Sequence, residues 1–363
     1  MISRRNLLRN AGLAFGASST GLFSISKVAT QNYRALDKQG LCESFFSVTG
    51  KSPADPMAPT ASVAPGIIDR IWQKASASYD RPRTEIFGRV DSQISKGPFR
   101  SHWQSLATHQ VSDWYKDAKF GIFIHWGLYC VPAFGSEQYP HAMYIPGTKE
   151  NKYHIATYGP LTQVGYKDFI PMLTAKDYDP AAWARLFKRA GARYGVPVFE
   201  HHDGFAMYDC GLSDWTAAKM GPRRELAGEL AEAVRSAGLH VGASSHRIEH
   251  DWFMYPDRTI DSDLNDPEFA AFYGPSHIEF ALDERSGNFL EDWTFVSPQF
   301  VSDWLARNAE IVAKYRPELF YFDFWIGHPQ VRPYLAQFAA YFYNTTVARG
   351  SIGVLNYKLQ AEN

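Results

Sequence analysis

Beyond about residue 105 the chain alternates short, nearly unbroken apolar runs with longer segments whose apolar residues recur at helical spacing. That is the rhythm of a fold in which strands and helices take turns. Residues 120–125, 196–200, 240–244, 319–322 and 352–356 read as five buried strands. Runs without polar alternation fit a parallel sheet covered on both faces. Between the strands, Asp179 is placed to cap a helix that begins at Pro180, with Trp183, Leu186, Phe187 and Ala190 on one face. A helix from about Arg223 carries Leu226, Leu230 and Val234 and stops near Gly238. Another runs from about Pro298 to Tyr315 with Pro317 as its stop, and a further one reaches about Tyr343. The stretch from Ile67 to Ser105 is mixed and predicts no element. Residues 27–65, rich in Ser, Ala, Thr and Pro, read as a linker or a poorly ordered arm.

Polar residues collect where the apolar runs stop. The first run ends in His125-Trp126-Gly127, and the second in Glu200-His201-His202-Asp203-Gly204. The third leads into Ser245-His246-Arg247 and Glu249, and the fourth into Asp323. Active sites of parallel α/β barrels lie at the carboxyl ends of the strands. Four successive strands obeying that rule predict a (β/α)8-type TIM barrel. A doubly wound sheet would also place a site at strand ends, but no glycine-rich phosphate loop follows the first strand, as a dinucleotide-binding version requires.

The 363 residues carry a formal net charge of −1, which argues against a nucleic-acid groove or a polybasic membrane anchor. Aromatic residues make up 15% of the chain, suited both to a barrel core and to stacking on sugar faces. The three cysteines, Cys42, Cys130 and Cys210, form no CxxC pair and suggest neither a disulfide framework nor a zinc knuckle. At the amino terminus, Arg4-Arg5 precedes a mildly apolar, uncharged stretch from Asn10 to Ser26. This has the form of a twin-arginine export signal, so a periplasmic or extracellular location is expected. The stretch is too short and polar for a good membrane span.

Asp323 lies between Phe322 and Phe324, a costly setting for an acid unless it is paired or used. It reads either as a carboxylate nucleophile attacking an anomeric carbon or as a helix cap or partner of a buried arginine. His201 and His202 read either as metal ligands or as neutral imidazoles hydrogen-bonding sugar hydroxyls. Neighbours on a strand point to opposite faces, so the metal reading requires a bend at the strand end. His125, beside Trp126, is a site residue or a satisfied core histidine. Glu137, Tyr139 and His141 fall in the loop after the first strand, where binding groups or plain solvated residues both occur.

At these residues the chain resembles the α-L-fucosidase family, glycoside hydrolase family 29. The segment Asp113-Trp114-Tyr115-Lys116-Asp117-Ala118-Lys119-Phe120-Gly121-Ile122-Phe123-Ile124-His125-Trp126-Gly127 is similar to the family's first strand. Glu200-His201-His202-Asp203-Gly204-Phe205 is similar to its paired-histidine motif, and the Asp323 strand to the one bearing its nucleophile. The similarity runs from about residue 97 to 357. It implies a retaining hydrolase that removes terminal α-L-fucose from glycoconjugates without metal or organic cofactor. Asp323 would attack C1, His125, His201 and His202 would hold fucose hydroxyls, and Glu137 matches a sugar-binding glutamate. The family often has Trp after that glutamate, where this chain has Gln138. Ser245-His246-Arg247 is similar to one branch of the family and adds His246 to the candidate sugar-binding residues.

A retaining site needs a second carboxyl roughly 5 Å from the nucleophile. In the family that acid/base residue comes later in the chain, and after Asp323 this sequence has one carboxylate side chain, Glu362. The expected layout is a signal peptide over 1–30, a linker and extension over 31–96, and a partial barrel over 97–363, without the family's C-terminal β-domain. The expected partner is a fucosylated glycan, with no nucleic acid and no membrane span. Two other readings stay open: a catalytically weak sugar-binding relative, and a metal-dependent barrel hydrolase using the histidine pair.

Overall fold

The computed structural model describes residues 65–254, 260–275, 297–323, 326 and 330–358. The export-signal segment, the arm up to residue 64, Cys42, Phe324 and Glu362 lie outside them. The part of the expected linker and extension that is described, residues 65–96, holds two helices, α1 (Pro65–Ala75) and α2 (Asp80–Lys96). After these come β1 (Gly121–Ile124), α3 (Lys149–Tyr158), α4 (Pro180–Arg189) and β2 (Tyr194–Glu200). Then follow α5 (Leu226–Ser236), β3 (His240–Ser245), α6 (Pro298–Tyr315), β4 (Leu319–Phe322), α7 (Arg332–Val347) and β5 (Val354–Tyr357). The five strands pair in chain order, every pair parallel, with Gly121, Tyr194 and His240 in register. Each crossover between neighbours passes through at least one helix, as parallel pairing demands.

The helices form where their caps and apolar stripes direct. The Asp179 side chain accepts the Ala182 amide at 2.9 Å ahead of Pro180. Ser297 caps α6 through the Phe300 amide, and Arg316 ends it in a left-handed conformation just before Pro317. Leu226, Leu230 and Val234 are all buried. In α4, however, the buried positions are Ala184 and Phe187, whereas Leu186 is 55% exposed. The stripe is turned by about one residue from the expected one, because α4 packs beside α5 and not squarely over the sheet. One face of the sheet joins the main core through Phe199, Val241, Phe320 and Phe322. On the other, Val196, Leu319 and Val354 form a small cluster with Trp114, Tyr115 and Tyr194.

The short helix Asp113–Ala118 covers the amino-terminal ends of the strands. Trp114 stacks on His240 at 4.0 Å, and the Tyr115 hydroxyl accepts from Asn356 Nδ2 at 2.7 Å. Gly121 is required there, because a Cβ would overlap the Tyr194 ring. This explains the opening of the 113–127 motif: it plugs one end of the sheet while its last residues reach the other.

Four charged side chains, Glu200, Arg247, Asp303 and Arg307, are buried together under the site, with Arg83 half-buried beside them. Asp303 on α6 accepts from Arg83 Nε at 2.9 Å, from Arg247 Nη2 at 2.7 Å and from Arg307 Nε at 2.9 Å. Glu200, at the end of β2, accepts from Arg247 Nη1 at 2.5 Å and Arg307 Nη1 at 3.3 Å. Burial pushes the Asp303 carboxyl up, but Arg307, Arg247 and Arg83 more than offset it and leave it at about 2. A carboxyl depressed on folding contributes stability above its unfolded value near 3.9 and loses it as pH falls through the folded one. Denaturation at stepped pH should therefore show stability dropping between about pH 4 and pH 2, with a shallower slope in Asp303→Asn.

Candidate active site

Each of the five strands delivers a polar side chain at the first position past its carboxyl end: His125, His201, His246, Asp323 and Lys358. Strand pairing sets their spacing, so residues distant in sequence converge. The His125 and His246 rings lie 5.1 Å apart, and those of His201 and His246 4.7 Å. His202, one residue further, does not point away from His201. The two rings stack at 4.1 Å with 23° between their planes. The bend comes from an irregularity in pairing between Val198 and Glu200 and from Gly204 at φ 76°. A Cβ on Gly204 would lie 2.5 Å from the buried His250 ring, whose Nδ1 donates to the His202 carbonyl at 2.8 Å. Gly204→Ala is expected to cost about 2 kcal/mol or more, through positive φ and this overlap, measured by urea denaturation.

Asp323 is held from several sides. His246 Nδ1 lies 3.3 Å from Oδ2, and Lys358 Nζ 3.3 Å from Oδ1. The Tyr321 hydroxyl is at 3.5 Å and His202 Nε2 at 3.7 Å. Burial pushes the Asp323 carboxyl up, yet His202, His246 and the Lys358 ammonium bring it down to about 2. It is therefore an anion at neutral pH. The imidazoles are neutral, because burial lowers the values of His201 and His246 well below the usual range and that of His202 in the same direction. His246 is fully buried and also meets the Ser244 hydroxyl at 2.8 Å from Nε2, so with Nδ1 donating to Asp323, Nε2 accepts from Ser244. His202 Nε2 meets Glu249 Oε2 at 3.1 Å, a contact that fixes its ring. A buried carboxylate between neutral imidazoles and one ammonium can act as a nucleophile beside groups that bind hydroxyls.

The other candidates divide. His125 is exposed and Glu137 stands exposed on the loop after β1. Burial lowers the His125 value, with Asp323 and Glu137 opposing it, so Glu137 lies within electrostatic reach of the site. Tyr139 instead turns into the core and meets His154 Nδ1 at 2.9 Å. The His141 ring meets the Phe253 carbonyl at 2.8 Å. Asp203 is fully buried and accepts from the Tyr166 hydroxyl at 2.6 Å, and burial raises it to about 7. Cys130 and Cys210 are free thiols, the former accepting from the Trp126 indole. Lys358 was not singled out by sequence, although the strand-end rule that located His125 and Asp323 applies to it equally. Among the described residues, two groups of side chains offer metal-ligand atoms within 4.8 Å of one another: His125, His201 and His246, and His202, His246 and Asp323.

The profile of the alpha-L-fucosidase family matches residues 87–360, a span that includes every strand and every strand-end residue above. The chain belongs to the alpha-L-fucosidase family. Among curated members, it is 31% identical to the tissue alpha-L-fucosidase of Rattus norvegicus over 260 residues, covering 69% of this chain and 48% of the relative. It is 32% identical to the plasma alpha-L-fucosidase of Homo sapiens over 264 residues, covering 70% and 48%. The alpha-fucosidase of Thermotoga maritima, solved in complex with fucose, superposes with a TM-score of 0.56 at 29% identity, over 73% of this chain and 57% of that one. The chain thus spans about half the length of the curated fucosidases it matches. Its α/β fold with a parallel sheet is similar to fucosidase catalytic domains. No helix among the described residues is long and apolar enough to cross a membrane.

Proposed function

We propose that this chain carries the sugar-binding and nucleophilic part of a retaining α-L-fucosidase, built on a (β/α)8-type barrel of which the five described strands form one run. Asp323 attacks C1 of a terminal α-L-fucose, the glycosidic oxygen leaves, and water later releases the sugar from the ester. His125, His201 and His202 bind fucose hydroxyls as neutral imidazoles, and Glu137 joins them at the mouth. His246 and Lys358 hold Asp323 ionised and aimed. None of the described residues is assigned as the acid that protonates the leaving oxygen. The substrate class is a fucosylated glycan, and the twin-arginine-like segment supports export from the cytoplasm as part of the same reading.

The observation that carries this reading is the ionised Asp323 carboxylate at the end of β4, beside the His202 and His246 imidazoles, inside the family match. The test is hydrolysis of 2,4-dinitrophenyl α-L-fucoside, whose leaving group departs without protonation, followed by proton NMR. Early accumulation of α-fucose supports the reading. β-Fucose as first product overturns the retaining mechanism. Fucose binding without any hydrolysis favours a sugar-binding relative. In a binding titration, His201→Ala is expected to weaken fucose by about tenfold or more, through loss of a buried hydroxyl partner.

A further inference from the structure

The same imidazoles carry a second binding chemistry. His125, His201 and His246 come from three adjacent, paired strands, so their backbones are fixed relative to one another. One ring nitrogen from each lies within 4.8 Å of the other two. A tetrahedral ion with Zn–N bonds of about 2.0–2.1 Å sets its nitrogens roughly 3.4 Å apart. Side-chain rotation, for which exposed His125 has the most room, is required to bring the three to that spacing. His201 Nδ1 is buried and has no hydrogen-bond partner among the described residues. Asp323, 3.3 Å from His246 Nδ1, supplies the carboxylate that commonly backs a ligating histidine, and the Ser244 hydroxyl at 2.8 Å from Nε2 has to turn away for that nitrogen to bind a cation.

We propose that His125, His201 and His246 form a binding site for a borderline divalent cation of the zinc class, entered past His125. Three imidazoles and an open fourth position suit Zn2+, whereas Mg2+ and Ca2+ require oxygen ligands. A consequence, which rests on the proposed function, is that cation and fucose exclude one another by using the same nitrogens. The cation is then an inhibitor and not a cofactor.

The test is calorimetric titration of the full chain with zinc chloride, and with magnesium chloride in parallel. One Zn2+ per chain is expected, with a dissociation constant on the order of micromolar. His125→Ala, at an exposed position, is expected to keep its fold and weaken Zn2+ by tenfold or more, whereas His102→Ala on the surface leaves it unchanged. Added Co2+ should give the visible bands of a four-coordinate ion, lost in His125→Ala. Absence of zinc binding, or binding that His125→Ala does not alter, overturns the proposal. These readouts need no turnover, so zinc binding in a chain that hydrolyses no fucoside would sink the hydrolase reading alone. Fucoside hydrolysis in a chain that binds no zinc would sink the cation site alone.

Discussion

Hydrolysis of an activated aryl α-L-fucoside is expected to fall by about 10^4-fold or more in Asp323→Ala, because Asp323 is the carboxylate that stands at the first position past a strand among the imidazoles. Asp323 lies past the last residue of β4 and makes no strand pairing, so the sheet should survive its loss. Denaturation should show a cost of up to about 3 kcal/mol, since His246 and Lys358 lose their shared anion. A small anion should then enter the vacated space. With sodium azide, the azide nitrogen attacks C1 as the aryloxide leaves, and β-fucosyl azide accumulates. An unaltered rate in the variant would remove Asp323 as the nucleophile. Lost activity with no azide product would point to a role in binding instead.

Asp303→Ala is expected to lose about 3–5 kcal/mol of stability in urea denaturation. Three guanidiniums, of Arg83, Arg247 and Arg307, converge on that carboxylate, and Glu200 reaches two of them. Without Asp303 the arginines are left as a buried positive cluster, and the desolvation cost of each goes uncompensated. Arg83→Ala should cost less, about 1 kcal/mol, because the Arg83 side chain keeps 12% exposure and its removal relieves one charge of the cluster. A loss below about 1 kcal/mol for Asp303→Ala would mean that the arginines find solvent or other partners.

Strands were legible because burial on both faces leaves a run with no polar interruption, and the strand-end rule then located His125, His201, His246 and Asp323 without any side-chain geometry. The stacking of His201 on His202 was not legible. Alternation along a strand places neighbours on opposite faces, and only the pairing irregularity before Glu200 and the positive φ of Gly204 turn both rings together. Glu200 and Asp203 sit inside the same motif, yet one belongs to an ion network and the other to a tyrosine hydroxyl. Those partners lie 107 and 37 residues away, beyond the reach of local pattern. α2 escaped notice for a related reason. Its apolar positions Ile86, Phe87 and Val90 are sparse among charges, and its stability comes from Asp303 and Asn344 on later helices.

The Arg83–Asp303 pair also sets an order of events during synthesis. The two residues are 220 apart in sequence. A ribosome adding roughly 5–20 residues per second makes α2 about 10–45 s before α6 exists to receive it. For that interval Trp72, which packs on Phe300 of α6 in the finished structure, lacks that cover. The Arg83–Asp303 contact of α2 therefore closes only after α6 has been made. The nascent chain must shelter Trp72, and closing that contact is the step at which a slow ribosome or a holding chaperone would be felt most.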